Sequence, residues 1–365
     1  MSRRRDDVVN KNKPMKGKKP SSGKGKKTFI LNVAILVVSL VLITVGGTLV
    51  YADHLLGRIQ FQQDPVESST PQKNSTVTSF ENIGNSQYVV NGLYHDDKIL
   101  NVLLLGVDDY EANDRGRSDS MLLVSLDRRH EKLKMTSFMR DLYVSIPGYH
   151  ANKLTVAYSL GGPTLTVQTI ENSFGVDIDR YVLIGNDSFN KIIDRLGGVT
   201  LEITSAEAKL INTYSGEPSS KRLTSGVQHM TGRQAHYYSR IRAIGDDYER
   251  TLRQRKVLQS IVDKFKSADL GEINGILYDV LPLVKTNMTK NEILSLAANS
   301  LTYLNYPTSQ NRIPVDGAFT NQNVPGVGSS LIADFKKNHK KLVEFIYEEK
   351  QEADSSDKES SFESR

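Results

Sequence analysis

The sequence predicts an α/β protein: a layered α-β-α domain built on a central mixed β-sheet and preceded by a single transmembrane helix. Two observations lead to this fold class. Short apolar runs that end in glycine or carboxylates, typical of strands buried on both faces, alternate with segments of helical periodicity. In addition, residues 29–51 carry no charge and form a run long enough to cross a bilayer of about 30 Å.

Charge divides the N-terminal part of the chain. Residues 1–27 hold eleven Lys and Arg against two Asp, and this segment is predicted to be a disordered basic tail. Residues 28–51 form the predicted transmembrane helix, and the lack of a small-residue cleavage site after it favours a retained anchor. By the positive-inside rule the tail is cytoplasmic and residues from 52 onward lie outside a cell membrane that the chain crosses once.

Composition narrows the possible partners and chemistries. The formal net charge of the whole chain is +5, and the tail alone has a net charge of +9. The other residues therefore carry a net charge of about −4. The tail is expected to contact anionic membrane lipid; it contains no folded reader of DNA, so no nucleic acid partner is expected. The chain has no cysteine, which excludes disulfides, thiolate nucleophiles and zinc–thiolate sites.

Polar, turn-forming clusters separate a stalk from a folded domain. Residues 52–96 contain Gln-Gln-Asp-Pro and Ser-Ser-Thr-Pro clusters without sustained periodicity and are predicted to form an extracellular stalk. Residues 97–348 form the predicted folded domain. Residues 349–365, rich in Glu, Ser, Asp and Lys, are predicted to be a disordered acidic and polar tail.

Strands and helices alternate within the folded domain. The predicted strands cover residues 99–108, 121–127, 133–138, 180–184, 199–203 and 311–315. The predicted helices cover residues 163–174, 187–196, 247–267, 273–283, 290–304 and 330–349. Pro163 falls in the first turn of its helix and Gly175 at the end, where each residue is favoured.

Residues 240–255 concentrate five arginines, and arginine suits phosphate because its planar guanidinium donates two parallel hydrogen bonds. Arg240 and Arg242 would project to one side of an extended segment, which a Gly-Asp-Asp turn joins to a helix. Arg250 and Gln254 lie on the apolar stripe of that helix and point inward. A bound anion there would offset the unfavourable place of a cation in the first helical turn.

A second interpretation of these arginines remains open. They could form a solvated helical face or pair with neighbouring carboxylates, without binding any ligand. For Arg253 and Arg255 this solvated helix surface is the prediction.

Carboxylates and a further arginine follow the ends of the predicted strands. Asp108 ends the first strand and Asp119 precedes the second, so the two can meet at one edge of the sheet. Two carboxylates suit an octahedral Mg²⁺ site, although Asp at a strand end also commonly caps a turn. Arg140 and Asp141 follow the third strand. Ligands of α/β sheets collect outside such ends, so convergence with Arg242 and Arg250 is expected.

These motifs resemble, in order and spacing, the series found in the LytR-CpsA-Psr family. The resemblance covers roughly residues 98–265, and the topology of basic tail, one span and external domain is similar as well. The motifs that carry it are Asn101-Val-Leu-Leu-Leu-Gly-Val-Asp108, Gly116-Arg-Ser-Asp119, Arg140-Asp141, Lys153-Leu-Thr-Val-Ala-Tyr158 with Gly161-Gly162, Leu196-Gly-Gly-Val199, and Arg240-x-Arg242 to Arg250-x-x-x-Gln254. The sequence departs from the family where Phe138-Met139 precedes Arg140 in place of the commoner Ile-Pro.

The resemblance implies a phosphotransferase of a Gram-positive-type envelope. Such an enzyme moves an anionic glycopolymer, such as wall teichoic acid or capsular polysaccharide, from an undecaprenyl-pyrophosphate carrier to peptidoglycan and leaves a phosphodiester link. Phosphoryl transfer asks a protein mainly for positioning and charge stabilisation, which arginines and Mg²⁺ supply. Two other functions stay open: a polyprenyl-pyrophosphate phosphatase that uses water as the acceptor, and a membrane-bound transcriptional attenuator.

The resemblance also implies a role for each site residue. The metal, Mg²⁺ with Mn²⁺ as the alternative, would be held by Asp108 and Asp119. Asp119 or Asp141 would take the acceptor proton, and the catalytic set would be Asp119, Arg140, Arg242 and Arg250. The pyrophosphate would be bound by Arg117, Arg140, Asp141, Arg240, Arg242, Arg250 and Gln254. The helices at 163–174 and 187–196 would line a tunnel for the lipid or, equally, form ordinary core.

Overall fold

The computed structural model describes residues 53–62, 92–108, 116–245, 247–267 and 269–348. Contacts divide the chain into residues 1–53 and 54–365, and the description below concerns the second unit. The predicted cytoplasmic tail, the transmembrane segment 28–51, most of the stalk and the whole C-terminal tail 349–365 lie outside the described residues. Among the residues described, no helix is both long enough and apolar enough to cross a bilayer.

Thirteen strands are present in the described part of the chain. They are Gln60–Phe61 (β1), Ile99–Val107 (β2), Ser118–Asp127 (β3), Lys132–Phe138 (β4), Tyr143–Val144 (β5), Asn152–Lys153 (β6), Arg180–Gly185 (β7), Val199–Ile203 (β8), Gly226–Met230 (β9), Lys285–Thr286 (β10), Thr308–Ile313 (β11), Phe319–Val324 (β12) and Gly328–Ala333 (β13). All six predicted strands are found, with small shifts at their ends.

Nine α-helices lie wholly within the same described ranges. They are Leu154–Phe174 (α1), Asn186–Arg195 (α2), Ser205–Tyr214 (α3), Gly232–Arg240 (α4), Asp247–Ser267 (α5), Leu270–Val280 (α6), Lys290–Ala298 (α7), Ser300–Leu304 (α8) and Phe335–Tyr347 (α9). The predicted helix 163–174 is the second part of α1, which is kinked where Gly161 and Gly162 leave helical backbone angles. The first part of α1, together with α3, α4 and β9, was not predicted.

Seven strands form one mixed sheet in the order β1-β10-β7-β2-β3-β4-β11, which confirms the predicted central mixed β-sheet. The central strand β2 runs antiparallel to β3 and parallel to β7, while β4 runs antiparallel to β3 and parallel to β11. The strand β8 lies outside this sheet and pairs with β9. Because β2 and β3 are neighbours and antiparallel, the end of β2 and the start of β3 share one edge.

The main core covers one face of this sheet. Leu103 and Leu105 of β2 are buried on that side among residues of α1 and α9. Leu165, Ile170 and Phe174 belong to the same core, so the helix predicted at 163–174 is ordinary core. Burial of apolar side chains such as these, between the sheet and the helices, is the main contribution to the stability of the fold.

The opposite face of the sheet is less completely covered. Leu104, Val124, Val182 and Ile184 point to that side, and each is only half-buried. Ile184 packs against a small cluster formed by Ile192 and Leu196 with Ile276. The helix at 187–196, the other predicted tunnel wall, therefore does lie beside this half-buried apolar face.

The segment 330–349 was wrongly predicted as one helix. Its first part is β13, which pairs antiparallel with β12 from Phe319 to Ala333, and only the residues after it are helical. Asp334 separates the two because its side chain accepts a hydrogen bond from the backbone N–H of Lys337 and so caps α9. Pairing with β12 in a hairpin outweighed the helical periodicity of the apolar residues.

Glu171, near the end of α1, makes the stability of the fold depend on pH. Burial raises the pKa of the Glu171 carboxyl to about 8, and the carboxylates of Asp177 and Asp179 add to the shift against a hydrogen bond from Ile178 N–H. The folded protein therefore loses stability as the pH rises from the unfolded value near 4.5 towards 8. Glu171→Gln should remove this loss, so that urea unfolding shows a more stable variant at pH 8 and a smaller difference at pH 4.

A glutamate in an exposed position provides the control for this prediction. Glu202→Gln, on the exposed side of β8, should follow the wild-type pH dependence of the free energy of unfolding. Parallel curves for Glu171→Gln and the wild type between pH 4 and 8 would show that the Glu171 carboxyl is not held protonated by the fold.

Candidate active site

The two predicted metal-binding carboxylates lie at the shared edge of β2 and β3. Asp108 directly follows β2, and its backbone N–H donates to the carbonyl oxygen of Arg117 over 3.2 Å. Gly116 has a φ of 66°, and a Cβ on it would lie 3.0 Å from the Asp108 carbonyl oxygen, so glycine is favoured here. This tight approach explains the Gly116-Arg117-Ser118-Asp119 motif, and it places Asp119 beside Asp108.

Arg140 reaches Asp119 from the end of β4. Its Nη1 donates to Asp119 Oδ1, which forms an ion pair between neighbouring strands. Asp141, the next residue, takes a different direction: its carboxylate lies 3.3 Å from Lys153 Nζ and 3.6 Å from Arg140 Nε. The end of the Arg140 side chain is therefore paired with Asp119, whereas the Asp141 carboxylate lies between Lys153 and the Nε atom of Arg140.

Arg240 ends helix α4, which corrects the prediction that Arg240 and Arg242 share one extended segment. A Thr231–Gln234 capping box begins this helix, and the helix stops at the buried Ile241. Arg240 Nη1 lies 3.4 Å from Asp108 Oδ1, and its Nη2 lies 3.4 Å from Asp119 Oδ2. One guanidinium thus spans both carboxylates.

Arg242, beyond this helix end, turns back towards the same carboxylates. Its Nη2 is 4.0 Å from Asp119 Oδ1, and its side chain is 51% exposed. Asp108 is also held from the other side, where Asn186 Nδ2 donates to its Oδ1 over 2.9 Å. Asn186, the first residue of α2, was not among the predicted site residues.

Helix α5 contributes Arg250 and Gln254 from two successive turns. Arg250 is only 3% exposed, which confirms that it points inward. Gln254 accepts a hydrogen bond from Ser120 Oγ over 3.2 Å, so this turn of the helix lies on β3 next to Asp119. The helical spacing of these two residues is what brings both to the edge of the sheet.

Arg253 and Arg255 are buried, which contradicts the prediction that both belong to solvated helix surface. Each is 4% exposed. Arg253 Nε donates to Glu207 over 2.8 Å, and Arg255 Nη1 donates to Ser137 Oγ over 3.0 Å. A buried guanidinium needs such partners, and these partners come from distant elements that the periodicity of α5 does not reveal.

Ten side chains surround one cavity of about 620 Å³ at this edge of the sheet. They are Asp108, Arg117, Asp119, Arg140, His236, Tyr237, Arg240, Arg242, Arg250 and Gln254. The cavity lining therefore includes every predicted site residue except Asp141. Five arginines outnumber two aspartates around this space, a balance that suits a ligand with more than one negative charge.

His236 and Tyr237 are the cavity residues that sequence reasoning missed. Both stand on α4, and His236 precedes Arg240 by four residues, so it lies one turn before it on the same face. The His236 ring also packs edge-on against Phe189, with 5.7 Å between ring centroids. A helix prediction for residues 232–240 would have revealed this spacing.

A family model and several curated proteins are similar to this chain. The model of the LytR_cpsA_psr family matches residues 58–341. The polyisoprenyl-teichoic acid–peptidoglycan teichoic acid transferase TagU of Oceanobacillus iheyensis is 33% identical over 222 residues, 58% of this chain and 66% of the relative. TagV of Bacillus subtilis, which has the same activity name, is 32% identical over 208 residues, 54% of this chain and 52% of the relative. The matches thus span about half to two-thirds of these relatives.

Solved structures share the fold. TagT bound to LI-WTA superposes with a TM-score of 0.56 at 26% identity and covers 69% of this chain and 92% of that one. TagV of B. subtilis gives 0.54 at 28% identity over 69% and 99%. The family protein YwtF (TagT) with bound octaprenyl pyrophosphate lipid gives 0.53 at 25% identity over 69% and 91%.

Proposed function

Since the chain belongs to the LytR_cpsA_psr family, we propose that it is a phosphotransferase that moves an anionic glycopolymer from a polyprenyl-pyrophosphate carrier to peptidoglycan. The product is a phosphodiester between polymer and acceptor, and the polymer is a wall teichoic acid, capsular or related wall polysaccharide. The names of TagU and TagV, which specify teichoic acid transfer to peptidoglycan, support this proposal. So does the structural likeness to a relative with bound octaprenyl pyrophosphate lipid.

The cavity with five arginines is the observation that carries the proposal. A pyrophosphate diester has two negative charges and several acceptor oxygens, and forked guanidinium donors match it in both respects. The transition state spreads further charge over the oxygens of the transferred phosphoryl group, so donors already in place stabilise it without reorganisation. Arg140, Arg242 and Arg250 are assigned this role, with Arg117 and Arg240 beside them.

The reaction is a substitution at the phosphorus that carries the glycopolymer. The acceptor hydroxyl oxygen forms a bond to this phosphorus while the bridging P–O bond to the lipid phosphate breaks. The electron pair leaves with the polyprenyl phosphate, and the hydroxyl proton passes to a carboxylate. Asp119 suits this step better than Asp141 because Asp119 lines the cavity and Asp141 does not.

Asp108 and Asp119 would hold Mg²⁺, with Mn²⁺ as the alternative. The chemistry of the donors fits, since carboxylate oxygens are the hard ligands that Mg²⁺ prefers. The two carboxylates also converge, because each lies 3.4 Å from the same guanidinium, that of Arg240. Water and phosphate oxygens would complete the coordination. When bound, the ion would neutralise charge on the phosphate oxygens.

The carrier lipid is assigned to the half-buried face of the sheet. Ser120 donates a hydrogen bond to Gln254 and pairs with Gly106 of β2. Leu104, two residues before Gly106 on the same face of β2, pairs with Val182 of β7. An apolar row therefore starts directly below the arginine cavity, as a lipid joined to a pyrophosphate requires. The anchor at residues 28–51 would keep this domain at the outer side of the cell membrane, where such a lipid is found.

Transfer from a defined lipid-linked glycan to soluble peptidoglycan oligomers tests the proposal. The full chain in detergent, with Mg²⁺, should give linked product and polyprenyl phosphate in equal amounts, and EDTA should suppress both. Polyprenyl phosphate with only unlinked glycan phosphate would indicate a pyrophosphatase and overturn the transferase proposal. A panel of lipid-linked polymers assayed in the same way would identify the polymer.

A further inference from the structure

One tyrosine that lines the arginine cavity, Tyr237, is stacked on a second tyrosine, Tyr214. Tyr214 is the last residue of α3, and its ring lies parallel to that of Tyr237 on α4, with 5.6 Å between centroids and 22° between planes. Tyr237 lines the cavity, whereas Tyr214 is 62% exposed and is the most exposed of the large aromatic residues in the described part of the chain. The pair therefore connects the lining of the cavity to the exposed surface of the protein.

The two rings belong to helices that pack on each other. A capping box of Thr204 and Glu207 begins α3, and α3 packs on α4. Burial and the neighbouring Tyr214 raise the pKa of the Tyr237 phenol above its ordinary value. An aromatic face of this kind packs well against the C–H side of a sugar ring. It does not attract an anion, because the face of the ring carries partial negative charge.

We propose that the Tyr214–Tyr237 pair is a stacking platform for a pyranose ring of the acceptor glycan strand. The proposal rests on the transferase function and names the place where the acceptor binds. Phosphoryl transfer needs the attacking and leaving oxygens roughly in line, so the acceptor approaches from the side away from the lipid phosphate. The lipid is assigned to the sheet, and the tyrosines belong to helices that lie outside it.

An exposed arginine suited to sugar hydroxyls lies one helical turn from Tyr237 and close to the backbone that follows Tyr214. Arg233 precedes Tyr237 by four residues on the exposed side of α4, and a Cβ on Gly216 would lie 3.0 Å from its Nη2. An aromatic face with a few polar groups at its rim is the usual composition of a carbohydrate site.

The absence of tryptophan from the chain allows a direct binding test. Tyr214→Trp keeps an aromatic ring on the platform and introduces a single fluorescent reporter. Soluble peptidoglycan glycan oligomers, added to the full chain in detergent without lipid donor, should change its emission in a saturable way. Tyr278→Trp is the matched control, because Tyr278 is 43% exposed on α6 and does not line the cavity.

Kinetics then separate the acceptor from the donor. Tyr214→Ala should raise the KM for peptidoglycan oligomers roughly three- to tenfold, the loss expected for one aromatic contact, and leave the KM for lipid-linked donor unchanged. Tyr214→Phe should behave as the wild type, since the ring and not the hydroxyl makes the contact.

Two results would contradict the proposal that the Tyr214–Tyr237 pair binds the acceptor glycan. One is an unchanged Tyr214→Trp emission at saturating oligomer, and the other is a rise in the donor KM in place of the acceptor KM. Failure of the transferase proposal itself looks different: the wild type would then release polyprenyl phosphate without linked product, whatever residue occupies position 214.

Discussion

Arg250→Ala is expected to lower glycopolymer transfer by about 10²- to 10³-fold, the usual effect of removing one fixed donor from a site that stabilises developing negative charge. Arg250 is 3% exposed and lines the cavity from the first turns of α5. Water cannot easily replace its guanidinium there. Arg242→Ala is expected to act in the same direction, and because the Arg242 side chain is half exposed, its loss should leave the fold unchanged.

The measurement is single-turnover transfer with saturating donor, so that chemistry is separated from binding. Arg250→Lys keeps the charge without the planar fork and should fall between the wild type and alanine. Lys256→Ala removes an exposed cation from the same helix and should transfer normally. Wild-type activity in the Arg242→Ala, Arg250→Ala double variant would disprove the assignment of both arginines to the pyrophosphate.

Arg253→Ala is expected to reduce the free energy of unfolding by about 3–5 kcal/mol, the usual result of breaking a buried ion pair from one side. Arg253 donates to Glu207 and also to the carbonyl oxygens of Ile241 and Ile244, over 3.1 and 3.0 Å. These carbonyls flank Arg242, so the variant should also lose transfer through a loosened Arg242 segment. Urea unfolding and transfer, measured on the same preparations, test the two effects.

A second substitution separates the ion pair from the backbone contacts. Burial opposes the charge of Glu207, but hydrogen bonds from the Thr204 N–H and from Arg253 hold the pKa of its carboxyl below the ordinary value. Adding Glu207→Gln to Arg253→Ala removes the uncompensated charge and should restore part of the stability, but not the transfer activity. If Arg253→Ala alone unfolds like the wild type, the buried pair does not hold this segment.

Most of the main sheet and much of the cavity could be predicted because their signals are local. An apolar run such as residues 99–107 predicts a strand wherever it lies, and arginines four residues from a glutamine share a helix face in any fold. The hairpin of β12 and β13 was not predicted. The apolar residues of β13 have helical periodicity, and only the hydrogen bonds to β12 hold them in a strand. His236 and Tyr237 were missed with the short helix α4 that carries them.

The chain itself determined the chemistry: five arginines, two aspartates and a glutamine in motifs whose residue types suit a phosphate ligand. Only the tertiary structure decided which arginines face the cavity. Arg250 lines it, whereas Arg253 is bound to Glu207, 46 residues away, and Arg255 to Ser137, 118 residues away. The physical reason is that a buried guanidinium must be paired, and its partners come from elements that meet only when the sheet and its helices pack together.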